Sequence, residues 1–153
     1  MAAPAKKARG AKIYIGTQQS SYTGETWTQI KRATAFDPPG PSAGMIDATA
    51  LEDTAKRKLK GMIDNGKVSL GMRRVHEDPG QILLLAAANL DSDTPYNFKI
   101  ELSDNIGAPG TPTTYKFKGF ATDFGDNIAG ATALIDSKAT IEVDGLVTFE
   151  AAT

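Results

Sequence analysis

The chain reads as a mainly β protein, an antiparallel β-sandwich or barrel with one flanking α-helix, and three observations carry that reading. Several short segments alternate apolar with polar residues at the period of a strand. Only one segment opens with helix signals, Asp78-Pro79-Gly80-Gln81 ahead of Ile82-Leu83-Leu84-Leu85-Ala86-Ala87-Ala88. The stretches between are cut by Gly, Pro, Asn and Asp at intervals that suit short strands.

Composition bounds the organisation. At 153 residues, 41% apolar and 23% charged, the chain has the size and balance of one ordinary domain, expected over 12–153. A net charge of -1 excludes attraction of the whole protein to nucleic acid or anionic lipid as a driving force. The absence of cysteine excludes disulfides, thiolate catalysis and cysteine zinc sites together, so stability must come from packing or assembly. No apolar run approaches the roughly 20 residues that span a bilayer. The basic start, Lys6-Lys7-Arg9, is not followed by the apolar core of a signal peptide, so the chain is expected in the cytoplasm and without a membrane partner.

In chain order, residues 1–11 are rich in Ala, Pro and Lys with nothing to bury, and are expected to form a flexible arm. Lys12 to Thr17 sets Ile13 and Ile15 against Lys12, Tyr14 and Gly16, the pattern of a strand. Glu25 to Phe36 reads as a second, neighbouring strand. Asp37-Pro38-Pro39-Gly40-Pro41 breaks the pattern, because prolines remove donors and fix φ. It leads into a long charged loop, expected over 37–60, whose acids Asp47, Glu52 and Asp53 precede the bases Lys56, Arg57, Lys58 and Lys60. Next comes the sharpest turn signal in the chain, Asp64-Asn65-Gly66, followed by the alternating run Lys67 to Met72. Asn-Gly suits the positive φ values of a primed two-residue turn, so Gly61 to Met72 reads as a tight hairpin anchoring the loop.

The helix is expected over Pro79 to Leu90, with Asp78 capping it, Pro79 at its first position and Gln81 completing a D-x-x-Q capping box. It is apolar nearly all round, so it must be covered on most sides. Pro95 to Ser103 alternates Phe98, Ile100 and Leu102 with polar residues, as a half-buried antiparallel strand does. Asp104 to Pro112 reads as a turn. Thr114 to Phe124 changes parity from Tyr115 and Phe117 to Phe120, Thr122 and Phe124, which points to a bulge at Gly119. Thr132 to Ile135, Ser137 to Val143 and Leu146 to Phe149 read as three further strands, the last two joined at Asp144-Gly145.

Few residues point to chemistry. Gly40-Pro41-Ser42-Ala43-Gly44 matches G-x-S-x-G, but a nucleophile elbow needs a strand before it and a helix after it. Prolines precede this one, and the single histidine, His76, sits in a loop ahead of the helix. Asp91-Ser92-Asp93 and Asp123 with Asp126 resemble fragments of calcium loops without the closing bidentate Glu, so they read as solvated turns. No phosphate-binding Gly-rich motif is present. No catalytic, cofactor or metal site is expected, and a ligand-binding module would have to build its platform from Tyr14, Tyr22 and Trp27.

The order of these parts resembles a known family. Asp47-Ala48-Thr49, Leu51-Glu52-Asp53-Thr54-Ala55, Gly61-Met62-Ile63-Asp64-Asn65-Gly66, Asp78-Pro79-Gly80-Gln81 and Tyr115-Lys116-Phe117-Lys118-Gly119-Phe120 together resemble the tail tube proteins of long, non-contractile-tailed bacteriophages. The likeness spans about Lys12 to Phe149 and extends to the tube protein of type VI secretion. It implies a small β-sandwich with one helix, six copies in a ring, and strands lining a lumen through which DNA passes without specific binding. Tape measure, tail tip and tail terminator proteins are the implied partners, and no cofactor is. The loop bearing Asp47, Leu51, Glu52, Asp53, Lys56, Arg57, Lys58 and Lys60 would be the inter-ring contact, mobile until assembly.

Overall fold

The computed structural model describes residue 5 and residues 9–104 and 110–153. Residues 1–4 and 6–8 of the expected N-terminal arm, and residues 105–109 of the expected turn, lie outside these described residues. The alternating segments form β1 (Lys12–Ile15), β2 (Thr28–Gln29), β3 (Ala33–Phe36), β4 (Ser42–Asp47), β5 (Lys58–Asp64), β6 (Lys67–Arg73), β7 (Tyr96–Glu101), β8 (Thr114–Asn127) and β9 (Asp136–Glu150), with α1 (Pro79–Asn89) between β6 and β7. Seven strands make one antiparallel sheet in the order β2-β1-β7-β8-β9-β6-β3, and β4 and β5 pair only with each other. The chain therefore has the expected mainly β, one-helix architecture, with the sheet curled on itself.

The core lies on the concave face of that sheet. Ile13 and Ile15 of β1, Val68, Leu70 and Met72 of β6, Phe98 and Ile100 of β7, Phe117 of β8 and Ile141 of β9 are all buried there, as strand alternation requires. Phe98 and Phe117 stand opposite each other with ring centroids 5.6 Å apart. Leu84 and Ala87 of α1 close the core, and the helix packs on β8, β1 and β2.

Curling is forced by a short connection. Strands β2 and β3 occupy opposite edges of the sheet, yet only Ile30, Lys31 and Arg32 separate them. Four Cα steps reach at most about 14 Å, whereas seven strands laid flat at about 4.8 Å spacing put the edges roughly 29 Å apart. The edges must meet. Arg32 turns the corner in the left-handed region, φ 64°, and its carbonyl accepts from Arg73 N at 2.9 Å.

Helix α1 fills this seam with its first turn. Gln81, wholly buried, donates through Nε2 to the carbonyls of Lys31 (3.1 Å) and Arg73 (2.8 Å), and its Oε1 accepts from Val75 N at 2.9 Å and Arg74 Nη1 at 3.3 Å. Asp78 Oδ2 accepts from Lys31 N and from Gln81 N, each at 3.1 Å. Asp78 therefore caps the helix as expected, but the reciprocal half of the capping box is not made. Asp78 N donates to Val75 O instead, and the Gln81 side chain goes to the seam. Gly80 is required at this contact, since a Cβ there would lie 2.2 Å from the carbonyl oxygen of Gln29.

Five other sequence expectations are corrected. Glu25 to Phe36 is not one strand, because Arg32 diverts it from one sheet edge to the other. Residues 132–135 are not a strand, and β9 runs unbroken through Asp144-Gly145, where Gly145 (φ 80°) accommodates a bulge opposite Lys116 to Lys118. Parity along β8 changes at Thr122, where Ala121 and Asp123 oppose the adjacent Ile141 and Thr140, so Phe120 and Phe124 point to opposite faces. Gly119 is needed for close approach to β9, where a Cβ would meet Glu142 O at 2.7 Å. Asp64-Asn65-Gly66 is not a hairpin turn, because β5 and β6 belong to different sheets. Only Gly66 has positive φ, so the primed turn, which needs two such residues, does not form.

The convex face is covered near β1 and β7 by residues 17–27. Glu25 is the clasp: its carboxylate accepts from Thr17 N and Oγ1, from Thr26 N and from Asn97 Nδ2. Partial burial raises its pKa, but the hydrogen bonds outweigh that and hold it below the ordinary 4.5.

Two outcomes follow. Replacing Gln81 by Leu strands several buried backbone groups and is expected to cost about 3 kcal/mol, read as a lower urea midpoint with unchanged slope. A loss under about 0.5 kcal/mol would remove Gln81 from the seam. Because Glu25 is depressed in the folded state, its contribution is present above the unfolded value of 4.5 and lost as pH falls through the folded one. Glu25→Gln is expected to flatten the acid limb of the stability profile; an unchanged acid limb would assign it to other carboxylates.

Candidate assembly surface

The long charged segment is largely a β-hairpin. Ser42 to Asp47 and Lys58 to Asp64 pair with Ser42 opposite Asp64, Ile46 opposite Leu59 and Asp47 opposite Lys58. The loop expected over 37–60 thus contains β4 and the first three residues of β5, and Gly40 to Gly44 enters a strand rather than a linker. A bulge interrupts the register between Ala43 and Met45, where two steps along β4 face three along β5.

Residues 48–57 form the tip, and they are tied internally. Asp47 Oδ1 accepts from Thr49 N at 3.0 Å, Thr49 Oγ1 accepts from Arg57 N at 2.9 Å, and Asp53 Oδ2 accepts from Ala50 N at 2.7 Å. The bonds to Thr49 hold the exposed Asp47 carboxyl below its ordinary pKa. Arg57 approaches Asp53 at 3.9 Å, while Lys56, Lys58 and Lys60 make no ion pair among the described residues. Leu51 and Glu52 are fully exposed at the end of the tip.

At the base, Asn65 and Gly66 anchor the hairpin to the bulge of β9. Asn65 Nδ2 donates to Gly145 O at 2.8 Å, Val143 N donates to Gly66 O at 3.0 Å, and Asp64 Oδ1 accepts from Gly66 N at 2.8 Å. The Asp64-Asn65-Gly66 signal marks a corner between sheets. Its side chains, rather than a turn type, do the work.

Beyond that corner the hairpin has no cover from other described residues. Met62 is 92% exposed, Met45 60% and Leu59 59%, with Ile46 and Ile63 also open. Among the described residues, both outer edges of the β4–β5 ladder are unpaired. A two-stranded ribbon with bare edges and apolar residues in water is marginal alone and presents itself for further pairing. Sequence reading located this segment through its charges and missed its apolar residues, because Met45-Ile46 and Met62-Ile63 are adjacent pairs that break strand alternation.

The other candidates separate. Ser42 lies on β4 and His76 in the loop before α1, both exposed, with no hydrogen bond between them. Asp126 accepts from Ser137 Oγ and lies 3.4 Å from Arg74 Nε, and among the described residues no group of three or more His or carboxylates could hold a metal. Tyr14, Tyr22 and Trp27 do come together, but lysines occupy their faces: Lys99 Nζ lies 4.5 Å from the Tyr14 ring and 5.0 Å from Trp27, and Lys118 lies 5.3 Å from Tyr22. Burial raises the pKa of both Tyr14 and Tyr22. The cluster pins residues 17–27 to the sheet.

A curled sheet with one helix and an uncovered hairpin can be compared with known proteins. The family model for lambda-like phage tail tube proteins matches residues 5–153. The chain belongs to the phage tail tube family. This is a family of structural tail tube proteins and not of enzymes. No curated protein matches the chain in sequence. Among solved structures, it is similar to a chain of the sheath/tube terminator of an extracellular contractile injection system, with a TM-score of 0.73 at 12% identity over 99% of this chain and 100% of that one. The tail of an empty GTA particle, refined with C6 symmetry, gives 0.66 at 12% identity over 96% and 100%. The SPP1 tail tube gives 0.62 at 12% identity over 92% and 78%. At these identities the likeness is one of fold.

In this tail tube protein the hairpin is expected to be the least protected element before assembly. Its amides in the free subunit should exchange at least about 100-fold faster than those of the β8–β9 ladder, measured by hydrogen exchange with mass spectrometry. Equal protection would mean that the hairpin is stabilised within the monomer.

Proposed function

We propose that the protein is the major tail tube subunit, whose copies close into hexameric rings that stack into a tube conducting phage DNA to the host. The observation that carries this reading is the uncovered β4–β5 hairpin beside a sheet whose two edges are drawn together at the β2–β3 corner. A ribbon left bare beside a curled sheet makes a directed contact with another copy. Stacking such copies head to tail is a heterologous, open-ended contact, which grows a tube rather than a closed oligomer. The hairpin, with Asp47, Leu51, Glu52, Asp53, Lys56, Arg57, Lys58 and Lys60, is the inter-ring element, ordered further on assembly.

Conduction asks for a wall without bare basic stripes, since each phosphate neutralised by Lys or Arg adds affinity and slows passage. The convex face of the sheet is compatible with this. Lys99 pairs with Glu101 at 3.1 Å and Lys116 with Glu150 at 3.0 Å, so acids and bases alternate across it. DNA then passes without specific binding, and no cofactor or catalytic residue is involved. The subunit is made in the host cytoplasm and ends in the virion tail, meeting tape measure, tail tip and terminator proteins. A monomeric ligand-binding module is less favoured, because the Tyr14, Tyr22 and Trp27 platform expected for it is filled by Lys99 and Lys118.

Negative-stain microscopy of concentrated protein is expected to show rings or tubes, and a chain that stays monomeric even with the tail initiator complex would overturn the proposal. Replacing Leu59 and Met62 together by Asn should leave the monomer within about 0.5 kcal/mol of the parent, because both are exposed. The same variant should fail to form tubes; unchanged polymerisation would take the hairpin out of the mechanism.

A further inference from the structure

The outer face of α1 is another apolar surface left bare. Ile82 is 51% exposed and Leu90 47%, with Ala86 exposed between them, so one stripe of the helix faces away from the core. Acids bracket that stripe. Glu77 precedes the helix and Asp91 and Asp93 follow it, all three exposed, and residues 75–98 contain no Lys or Arg. None of these acids has a hydrogen bond or ion pair among the described residues.

The hairpin offers the complement. Its second limb, Lys56-Arg57-Lys58-Leu59-Lys60-Gly61-Met62, sets four exposed bases around two exposed apolar side chains. The spacing of the apolar residues agrees as well: Leu59 and Met62 are three residues apart on β5, about 10 Å at 3.3 Å each, and Ile82 and Leu90 eight apart along α1 and its cap, about 12 Å at 1.5 Å each. The turn between β8 and β9 also exposes apolar residues beside acids. There, however, Asp126 is taken by Arg74 and Asp136 by Arg73 at 2.6 Å.

We propose that the basic limb of β5 docks on the acid-flanked outer face of α1 in a second copy of this chain, with Leu59 and Met62 against Ile82 and Leu90. This deepens the tube reading, on which it rests only in taking the occupant to be another copy. Opposite charges at the rim set the register of the contact, and the apolar pairs supply its affinity. Salt weakens the encounter and leaves the apolar part.

The chain has no cysteine, so introduced ones report the contact directly. Leu59→Cys protein is mixed under mild oxidation with size-tagged Ile82→Cys, or with size-tagged Ser20→Cys as an exposed control. Docking raises the local thiol concentration towards the millimolar range, so the first mixture should form the mixed disulfide at least about tenfold faster. Equal rates in the two mixtures overturn the proposal. Adding Lys58→Glu and Lys60→Glu to the hairpin partner should suppress the cross-link, and Glu77→Lys with Asp91→Lys in the helix partner should restore it; no restoration also overturns it. Tubes from parent protein with no preferential cross-link would leave the tube reading standing and refute this contact. A preferential cross-link from protein that never forms rings would do the reverse.

Discussion

Closure of the sheet at the β2–β3 corner is the constraint on which the remaining structure depends. Three residues cannot join the edges of a flat seven-stranded sheet, so every strand between them must share the curvature. Meeting edges leave polar backbone groups in a tight place away from water, and such groups need partners. Gln81 and Asp78 provide them from the first turn of the helix. The helix is therefore fastened to the seam before it contributes Leu84 and Ala87 to the core. Gly80 is the steric condition of that attachment, as its Cα rests against the Gln29 carbonyl.

Fastening α1 by one end and one face has a consequence on its other side. A helix that is apolar nearly all round cannot be satisfied by one sheet, and Ile82, Ala86 and Leu90 are left in water. The same economy applies to the hairpin, held at its base by Asn65 and Gly145 and uncovered beyond. Both surfaces lie on elements that the closed sheet cannot reach. A domain of this size buries its core adequately and still has apolar area to give to other copies, which fits a chain without disulfides.

Much of the fold was legible, and the failures share one cause. Alternation identified β1, β7 and the start of β8 because each is half-buried by its own sheet, and Asp78-Pro79 located the helix to within a residue of its end. Errors arose wherever a local signal had two tertiary solutions. Asn65-Gly66 is compatible with a hairpin or with a corner between sheets, and partners such as Gly145, 80 residues away, decide it. Gln81 fits a capping box locally, but Val75 N and Arg74 Nη1 take the Oε1 that the Asp78 N–H would have used, while Nε2 is drawn to the carbonyls of Lys31 and Arg73. The charges of 47–60 were visible and the strands carrying them were not, since β-pairing of β4 with β5 needs no burial to give it away. The charged tip and the corner residues of the hairpin were thus located, while its apolar half was not.

An exposed ribbon with bare edges is ordinarily a route to indiscriminate aggregation. What separates ordered growth from that outcome is the distribution of charge along the ribbon. Asp47, Glu52 and Asp53 come before Lys56, Arg57, Lys58 and Lys60 along the chain, and with Asp64 at the base the hairpin is neutral as a whole but carries its acids mainly on the first limb and its bases on the second. Two hairpins approaching edge to edge in parallel would set like charges together, and like charges opposite one another are destabilising. A surface of fixed acid and apolar pattern, such as the outer face of α1, meets no such penalty when it faces the basic limb. Charge thus restricts which contacts the apolar residues are allowed to make, and the restriction is built from residues that contribute nothing to the core of the monomer.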